Sequence, residues 1–323
     1  MKLATTYLGF ELPCPVIPGA SPLCDHIDTA RKLEDCGAPM LTLRSLFQEQ
    51  IAPERRYTQS LAYLDEQVDF SMGPDEYLAQ IARLKKAVRV PVVASLNCHT
   101  NGPWVGYAKL IEQAHADALE LNMFNPVVDL DQSSQQIEQE IVAIVASVRK
   151  AVKIPLAVKL LPAYTALPHF ARELAQAGAQ GLVLFNRLYQ PQMDLEHLGL
   201  REELTFSSPQ ELSTRLHAVA ALAGRVRCDL AVSGGAHDAS DVLRATLAGA
   251  NVVQMVSALL QQGPYHLRKV LSDIQQWLDT NHFQSLAQVR GTMSLLRTPP
   301  AQAGERRNFI SVLSHWHDSG STG

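Results

Sequence analysis

The chain has 323 residues, 46% hydrophobic and 19% charged, without a low-complexity tract; that is enough apolar material for a large core and excludes disorder over most of its length. Its 28 basic and 32 acidic residues leave a net charge of −4, so no electrostatic footprint for nucleic acid or an anionic lipid surface is present. The longest charge-free stretch, Ala245 to Leu267, is interrupted by Gly249, Asn251, Gln254, Gln261, Gln262 and Pro264 and does not suit a bilayer-spanning helix.

Lys2 precedes only a short apolar stretch before Glu11, too weak for a signal peptide. Five cysteines (Cys14, Cys24, Cys36, Cys98, Cys228) without a CxxC pair fit reduced thiols, and the cytoplasm is the expected location. Taken in chain order, Thr5 to Leu12 predicts a small hairpin across the bottom of whatever sheet follows. Short β-rich apolar runs then alternate with longer helix-patterned stretches. The runs are Val16 to Ala20, Met40 to Arg44, Val92 to Leu96, Ala118 to Asn122, Leu156 to Leu161, Leu182 to Asn186, Leu230 to Ser233 and Val252 to Val256. Residues 45 to 74 are too long for an ordinary connection and read as a functional loop covering the site.

Ser208-Pro209-Gln210-Glu211 carries an N-cap serine, proline at the first helical position and a capping-box glutamate, so a helix is expected to start there. Leu267, Val270, Leu271, Ile274 and Leu278 fall on one face of a helix. Eight β/α alternations without a linker predict an α/β fold, a (β/α)8 TIM barrel rather than an open doubly wound sheet. The expected organisation is one barrel over residues 1–297 and a C-terminal extension over 298–323. Phe309, Ile310, Val312, Leu313 and Trp316 are spaced for one extra C-terminal helix.

Barrel enzymes carry their reacting groups at the C-terminal ends of the strands, which directs attention to Arg44, Asn97 with Cys98 and His99, Asn122, Lys159, Asn186 and Ser233-Gly234-Gly235. Alternation puts Glu120 on the face of Asn122, inside the barrel, where a carboxylate needs a cation; Lys159 on the next strand is the nearest candidate. A purely structural ion pair is the plainer reading of the same two residues. Gly234-Gly235 before a helix N-terminus and Val256-Ser257-Ala258 after the last strand occupy the loops where this architecture holds phosphate, although a Gly-Gly pair alone is also an ordinary tight turn. Cys98-His99 could supply a thiolate and a base, but neighbours on an extended chain point oppositely, and an incidental pair fits as well. His315-Trp316-His317 has no further ligands in view and reads as surface.

The motif order resembles the dihydroorotate dehydrogenase family of FMN-dependent (β/α)8 barrels, especially its class 1 branch, over residues 1 to about 290. The matching stretches are Pro18-Gly-Ala-Ser21, Leu43-Arg-Ser45, Ser71-Met-Gly73, Glu120-Leu-Asn-Met-Phe-Asn-Pro126, Ala157-Val-Lys-Leu160, Phe185-Asn186, Ser233-Gly-Gly235 and Gln254-Met-Val-Ser-Ala258. The resemblance implies FMN over the barrel top, its phosphate on Gly234, Gly235, Val256 and Ser257 and its ring against the backbone of Ala20 and Ser21. Lys159 would face the N1 and O2 edge, where a cation stabilises the reduced cofactor, and Arg44 and Asn122 would join the contacts.

The departures fall on the substrate side. Family members place a cysteine or serine base where this chain has Asn125, and an amide is no general base near neutral pH. Phe70, Val127 and Arg187 replace positions that grip the pyrimidine in the family, Arg44 stands in place of lysine, and only Asn122 and Asn186 remain of the asparagine set. The function expected is hydride transfer between FMN and a small, pyrimidine-like substrate, with Lys159, Asn125 and Arg44 at the reacting centre and Asn122, Asn186, Phe70 and Arg187 around the substrate. An electron-acceptor protein and a homodimer are the expected partners. Three readings compete: dihydroorotate oxidation with a substitute base, a flavin-binding redox-partner subunit, and a flavin-free phosphate-binding lyase.

Overall fold

The computed structural model describes residues 2–51, 72–99, 102, 104–125, 127, 129–187, 192–201, 205–298, 310, 311 and 314. Phe70, Ser71, Pro126, Phe309, Val312, Leu313 and His315 to His317 lie outside the described residues.

Strands β1 (Thr5–Tyr7) and β2 (Phe10–Leu12) form an antiparallel hairpin. Eight parallel strands follow: β3 (Val16–Pro18), β4 (Leu41–Phe47), β5 (Val92–Asn97), β6 (Ala118–Asn122), β7 (Leu156–Leu160), β8 (Gly181–Leu184), β11 (Asp229–Ser233) and β12 (Val252–Met255). The hydrogen-bonded order β3-β12-β11-β8-β7-β6-β5-β4, with β3 lying against β4, is that of a nearly closed barrel. All eight expected runs are strands. A second hairpin, β9 (Gln192–Asp194) and β10 (Gly199–Arg201), stands apart between β8 and the next helix.

Between consecutive barrel strands run the outer helices α1 (Ile27–Asp35), α3 (Pro74–Ala87), α4 (Trp104–Gln113), α5 (Ser134–Ala151), α6 (Leu167–Ala177), α7 (Leu212–Leu222) and α8 (Ala239–Ala248), with α10 (Tyr265–Thr280) after the last strand. The short helices α2 (Gln48–Ile51), α9 (Ser257–Gln262) and α11 (Leu286–Val289) cap strand ends or the barrel base. The capping box at Ser208 opens a 3-10 turn, Pro209–Glu211, in which the Ser208 N–H donates to Glu211 Oε1 at 3.0 Å, and α7 continues from it. Helix α10 buries Leu267, Val270, Ile274 and Leu278, while Leu271 is half-buried at its edge. Ile310, Ser311 and Ser314 have helical backbone.

Strand alternation divides the core into two apolar bodies. Outward-facing residues such as Leu96, Leu121, Val158, Leu184 and Val232 pack against the helices. Inward-facing Ile17, Met40, Val93, Ala118, Ala157, Val183, Ala231 and Val252 pack with Tyr7, Leu8 and Leu12 of the first hairpin. The hairpin plugs the barrel floor, where Gly181, Ala118, Ala157 and Ala231 leave room for it. A Cβ on Gly181 would lie 2.8 Å from Leu8 Cδ2 and 3.3 Å from Tyr7 Oη. Its two-residue turn, Leu8 (φ 54°) and Gly9 (φ 82°), has the positive φ pair that suits strand twist. The Leu8 N–H donates to Asp229 Oδ2 at 2.8 Å, and Asn251 Nδ2 donates to the Thr6 carbonyl at 3.0 Å.

The stretch expected as a long covering loop differs at its start. β4 runs on to Phe47 and α2 follows at once, so residues 45–51 are ordered structure; 52–71 lie outside the described residues.

Candidate active site

The barrel mouth is built from two halves. In the half formed by β4, β5 and β6, register brings Asn97 beside Asn122 and Asn122 beside Lys159. Asn122 Nδ2 donates to Ser45 Oγ at 3.0 Å, Ser45 Oγ lies 2.8 Å from Ser95 Oγ, and Asn186 Nδ2 donates to Asn122 Oδ1 at 2.7 Å. Asn97 Nδ2 donates to the Asn122 and Phe124 carbonyls at 2.9 and 3.1 Å, fixing the turn that leads to Asn125. Asn125 and Val127 are half-buried beyond that turn.

Arg44 and Ser45 exchange the places that simple alternation gives them. The pairing of β4 with β5 shifts register between Thr42 and Ser45, which turns Ser45 toward Asn122, whereas Arg44 grips Asp25 with Nε 2.9 Å from Oδ1 and Nη2 on Oδ2. Tyr77 of α3 fills the irregularity: its hydroxyl accepts the Ser95 N–H at 2.8 Å and lies 3.0 and 2.9 Å from the Arg44 and Ser95 carbonyls.

Below the mouth, Glu120 is buried to 1% exposure and Lys159 to 5%. Lys159 Nζ stands 3.5 Å from Glu120 Oε1 and donates to Gln254 Oε1 at 3.1 Å, while Gln254 Nε2 donates to Glu120 Oε2 at 2.5 Å. The sequence placed the carboxylate and its cation correctly and missed Gln254, although strand parity with inward-facing Val252 carried the signal. Glu120 Oε1, Thr42 Oγ1 and Tyr7 Oη accept or donate no hydrogen bond within the described structure. Burial, and after it the charge of Glu120, pushes the Tyr7 phenol well above its usual range, so it keeps its proton.

The other half is made by the ends of β11, β12 and β3. Gly234 (φ 86°) and Gly235 (φ 81°) hold a left-handed turn in which a Cβ on Gly235 would lie 2.5 Å from Leu212 N, and one on Gly234 would lie 2.9 Å from Arg215 Nη2. Arg215 is buried beneath them, its Nε donating to the Ser233 carbonyl at 2.8 Å and its Nη1 to the Glu211 carbonyl at 2.7 Å. Ser207 Oγ accepts the Gly235 N–H at 3.1 Å and lies 2.9 Å from Ser257 Oγ, so Gly235, Ser257 and Ser207 converge. Ser207 and Arg215 belong to no motif visible in the sequence. Val256 caps the short helix opened by Ser257. Across the mouth, Ser21 Oγ donates to the Gly19 carbonyl at 2.9 Å, and Ala20 is half-buried beside it.

Several singled-out residues stand elsewhere. Cys98 is fully buried in the outer core, where burial pushes its thiol well above the usual value, and it offers no thiolate. Burial likewise pushes Cys14, Cys24 and Cys228 up to about 12. His99 Nε2 lies 3.3 Å from Glu49 Oε1 of α2, and that hydrogen bond lowers the Glu49 carboxyl against the opposing effect of burial. Arg187 is exposed and lies 3.6 Å from Glu211 Oε1.

The family model for dihydroorotate dehydrogenase matches residues 3–278. This chain belongs to the dihydroorotate dehydrogenase family. It is thereby a member of a family of oxidoreductases that act on CH–CH groups and typically bind FMN. Similar proteins include one of Aeropyrum pernix provisionally named dihydroorotate dehydrogenase A (fumarate), 26% identical over 90% of this chain and 97% of its own. The catalytic subunit of dihydroorotate dehydrogenase B (NAD(+)) of Anoxybacillus flavithermus is 24% identical over 90% and 95%. The dihydroorotate dehydrogenase A (fumarate) of Limosilactobacillus reuteri is 26% identical over 86% and 94%. Among the described residues, no helix is long and apolar enough to cross a membrane.

Proposed function

We propose that this chain is an FMN-dependent oxidoreductase that moves a hydride between FMN and a small, pyrimidine-like substrate other than dihydroorotate. The observation that carries the reading is the buried ammonium of Lys159, oriented by Gln254 at the barrel mouth of a chain of this family; the tight Gly234-Gly235 turn supports the cofactor assignment, and the resemblance, which puts Asn125 at the family's base position, supports the change of substrate.

The residues present suit FMN. Gly234 and Gly235 hold a turn so close to Leu212 and Arg215 that any Cβ would collide, and beside it Ser257 Oγ accepts from the Ser207 N–H and hydroxyl and keeps its own proton to donate to a phosphate, while the Gly235 N–H is held by Ser207 Oγ. Lys159 would hold positive charge toward the part of the cofactor that gains negative charge on reduction. FMN, when bound, supplies the hydride acceptor. On the substrate side Asn122, Asn186, Ser45 and Ser95 offer neutral donors and acceptors. The ionisable groups near them are engaged: Arg44 with Asp25, His99 with Glu49, Arg187 with Glu211. A substrate that must lose a proton to a thiol or hydroxyl base finds an amide at Asn125, and base assistance is commonly worth about 10² to 10⁴ in rate.

Anaerobic mixing of the FMN-loaded protein with dihydroorotate and a panel of dihydropyrimidines tests this. The expected result is retained flavin, bleached by dihydroorotate about 10² to 10⁴ times more slowly than in a relative with the base. Asn125→Cys alone should gain little, and adding Phe70→Asn, Val127→Asn and Arg187→Ser should gain more, because an unpaired polar ring edge binds weakly. Fast bleaching of the parent protein by dihydroorotate overturns the substrate reading; protein that stays colourless with added FMN overturns the whole. The expected homodimer draws support from the β9–β10 hairpin, where Met193, Leu195, Leu198 and Leu200 are exposed by 82%, 84%, 89% and 66%, and light scattering measures it directly.

A further inference from the structure

We infer that Glu120 is a charge-balancing residue that acts through Lys159 and leaves the bound cofactor a stronger reductant than the lysine alone would; this rests on the FMN reading above. Lys159 on β7 pairs with Asn122 of β6, so Glu120 lies two residues below it on the same face, and both side chains are turned inward and nearly sealed from solvent. The ammonium and a carboxylate oxygen stand 3.5 Å apart. No other carboxylate of a described residue reaches ion-pair distance of Lys159.

Gln254 makes the arrangement directional. A carboxylate only accepts and an ammonium only donates, so the amide must turn Nε2 to Glu120 and Oε1 to Lys159, as it does at 2.5 and 3.1 Å. The ammonium is therefore fixed in place by a neutral group and offset in charge by an ionised one. Coulomb energy falls only as the inverse of distance, so a carboxylate this close cancels a large part of the field that Lys159 projects into the mouth. Tyr7 adds no charge beneath the pair because it keeps its proton, and Asp229 is turned to the hairpin, accepting from Leu8 and Asn251. A lone lysine would hold electrons on the cofactor; the offset pair lets them pass on to an acceptor.

Two roles for Glu120 predict opposite signs. If it only positions Lys159, its loss displaces the ammonium and acts like loss of the lysine. If it offsets charge, its loss unmasks the ammonium. The test uses the full chain loaded with FMN and reads the midpoint potential by dye equilibration and the affinity for sulfite, which adds to the oxidised flavin as an anion. Glu120→Gln should raise the potential and tighten sulfite binding by about tenfold or more. Lys159→Ala should move both readouts the other way, and Gln254→Met, which changes no charge, should move them least. Gln254→Glu adds a carboxylate at the same place and should lower both, which keeps the inference exposed if Glu120→Gln does not fold. An unchanged Glu120→Gln, or one that follows Lys159→Ala, overturns the inference while leaving the FMN reading intact; parent protein that binds no FMN overturns both.

Discussion

The two halves of the barrel mouth are held by different kinds of structure. On the side of β11 and β12 the geometry is backbone: a left-handed Gly234-Gly235 turn packed against Leu212 N and the Arg215 guanidinium, with the Gly235 N–H donated to Ser207 Oγ. On the side of β4 to β6 it is side chain: Ser45, Ser95, Asn122 and Asn186 exchange neutral hydrogen bonds that another residue could replace without moving a strand. A backbone cradle tolerates almost no substitution, whereas a lining of side chains can be rewritten one position at a time. The proposed function follows that division, with the cofactor assigned to the backbone-built half and the altered substrate to the half lined by side chains.

The comparison breaks most sharply at Gly235. Gly235→Val puts a branched side chain at φ 81° with its Cβ 2.5 Å from Leu212 N, so flavin content of the purified protein should fall to nothing, while Ser45→Ala on the other half should retain it. Equal flavin loss in both variants would refute the division. A smaller effect is expected at the barrel floor, which serves both halves: Gly181→Ala drives a methyl to 2.8 Å from Leu8 Cδ2 and should cost about 1 to 3 kcal/mol in urea unfolding. A variant as stable as the parent would mean that the hairpin does not plug the barrel as tightly as these contacts require.

The smallest effect concerns the rim beside β4 and β5. The His99 hydrogen bond holds the Glu49 carboxyl below its ordinary 4.5, so the folded state binds that proton less tightly than the unfolded chain does. The stabilisation is full above about pH 4.5 and fades as pH falls through the lowered value. His99→Ala should remove part of this acid sensitivity, by roughly 0.5 to 1 kcal/mol at neutral pH for a partly exposed pair. An identical pH–stability curve in the variant would show that the pair contributes nothing.

Much of this was legible in the residues themselves. Eight apolar runs, the plug hairpin, the capping box at Ser208 and the inward Glu120 with Lys159 all follow from periodicity or local chemistry, because a side chain on a regular strand has only two faces to choose from. The site residues that escaped depend on departures from regularity or on contacts across the barrel. One irregular step in β4 exchanges the faces of Arg44 and Ser45, and no local pattern announces it. Ser207 and Arg215 reach the Gly234-Gly235 turn from a loop and an outer helix, and Gln254 matters only because the closed sheet carries it opposite Lys159.

The sequence by itself determined the alternation of strand and helix and the Gly234-Gly235 turn, since each is a property of residue type and spacing along the chain, and it carries the expectation that Asn125 stands at the family's base position. Tertiary structure alone decided which side chains share the mouth and which charges offset one another. Those facts depend on barrel closure, which brings β6, β7 and β12 within reach of a single amide, and on one register shift that local propensity does not encode.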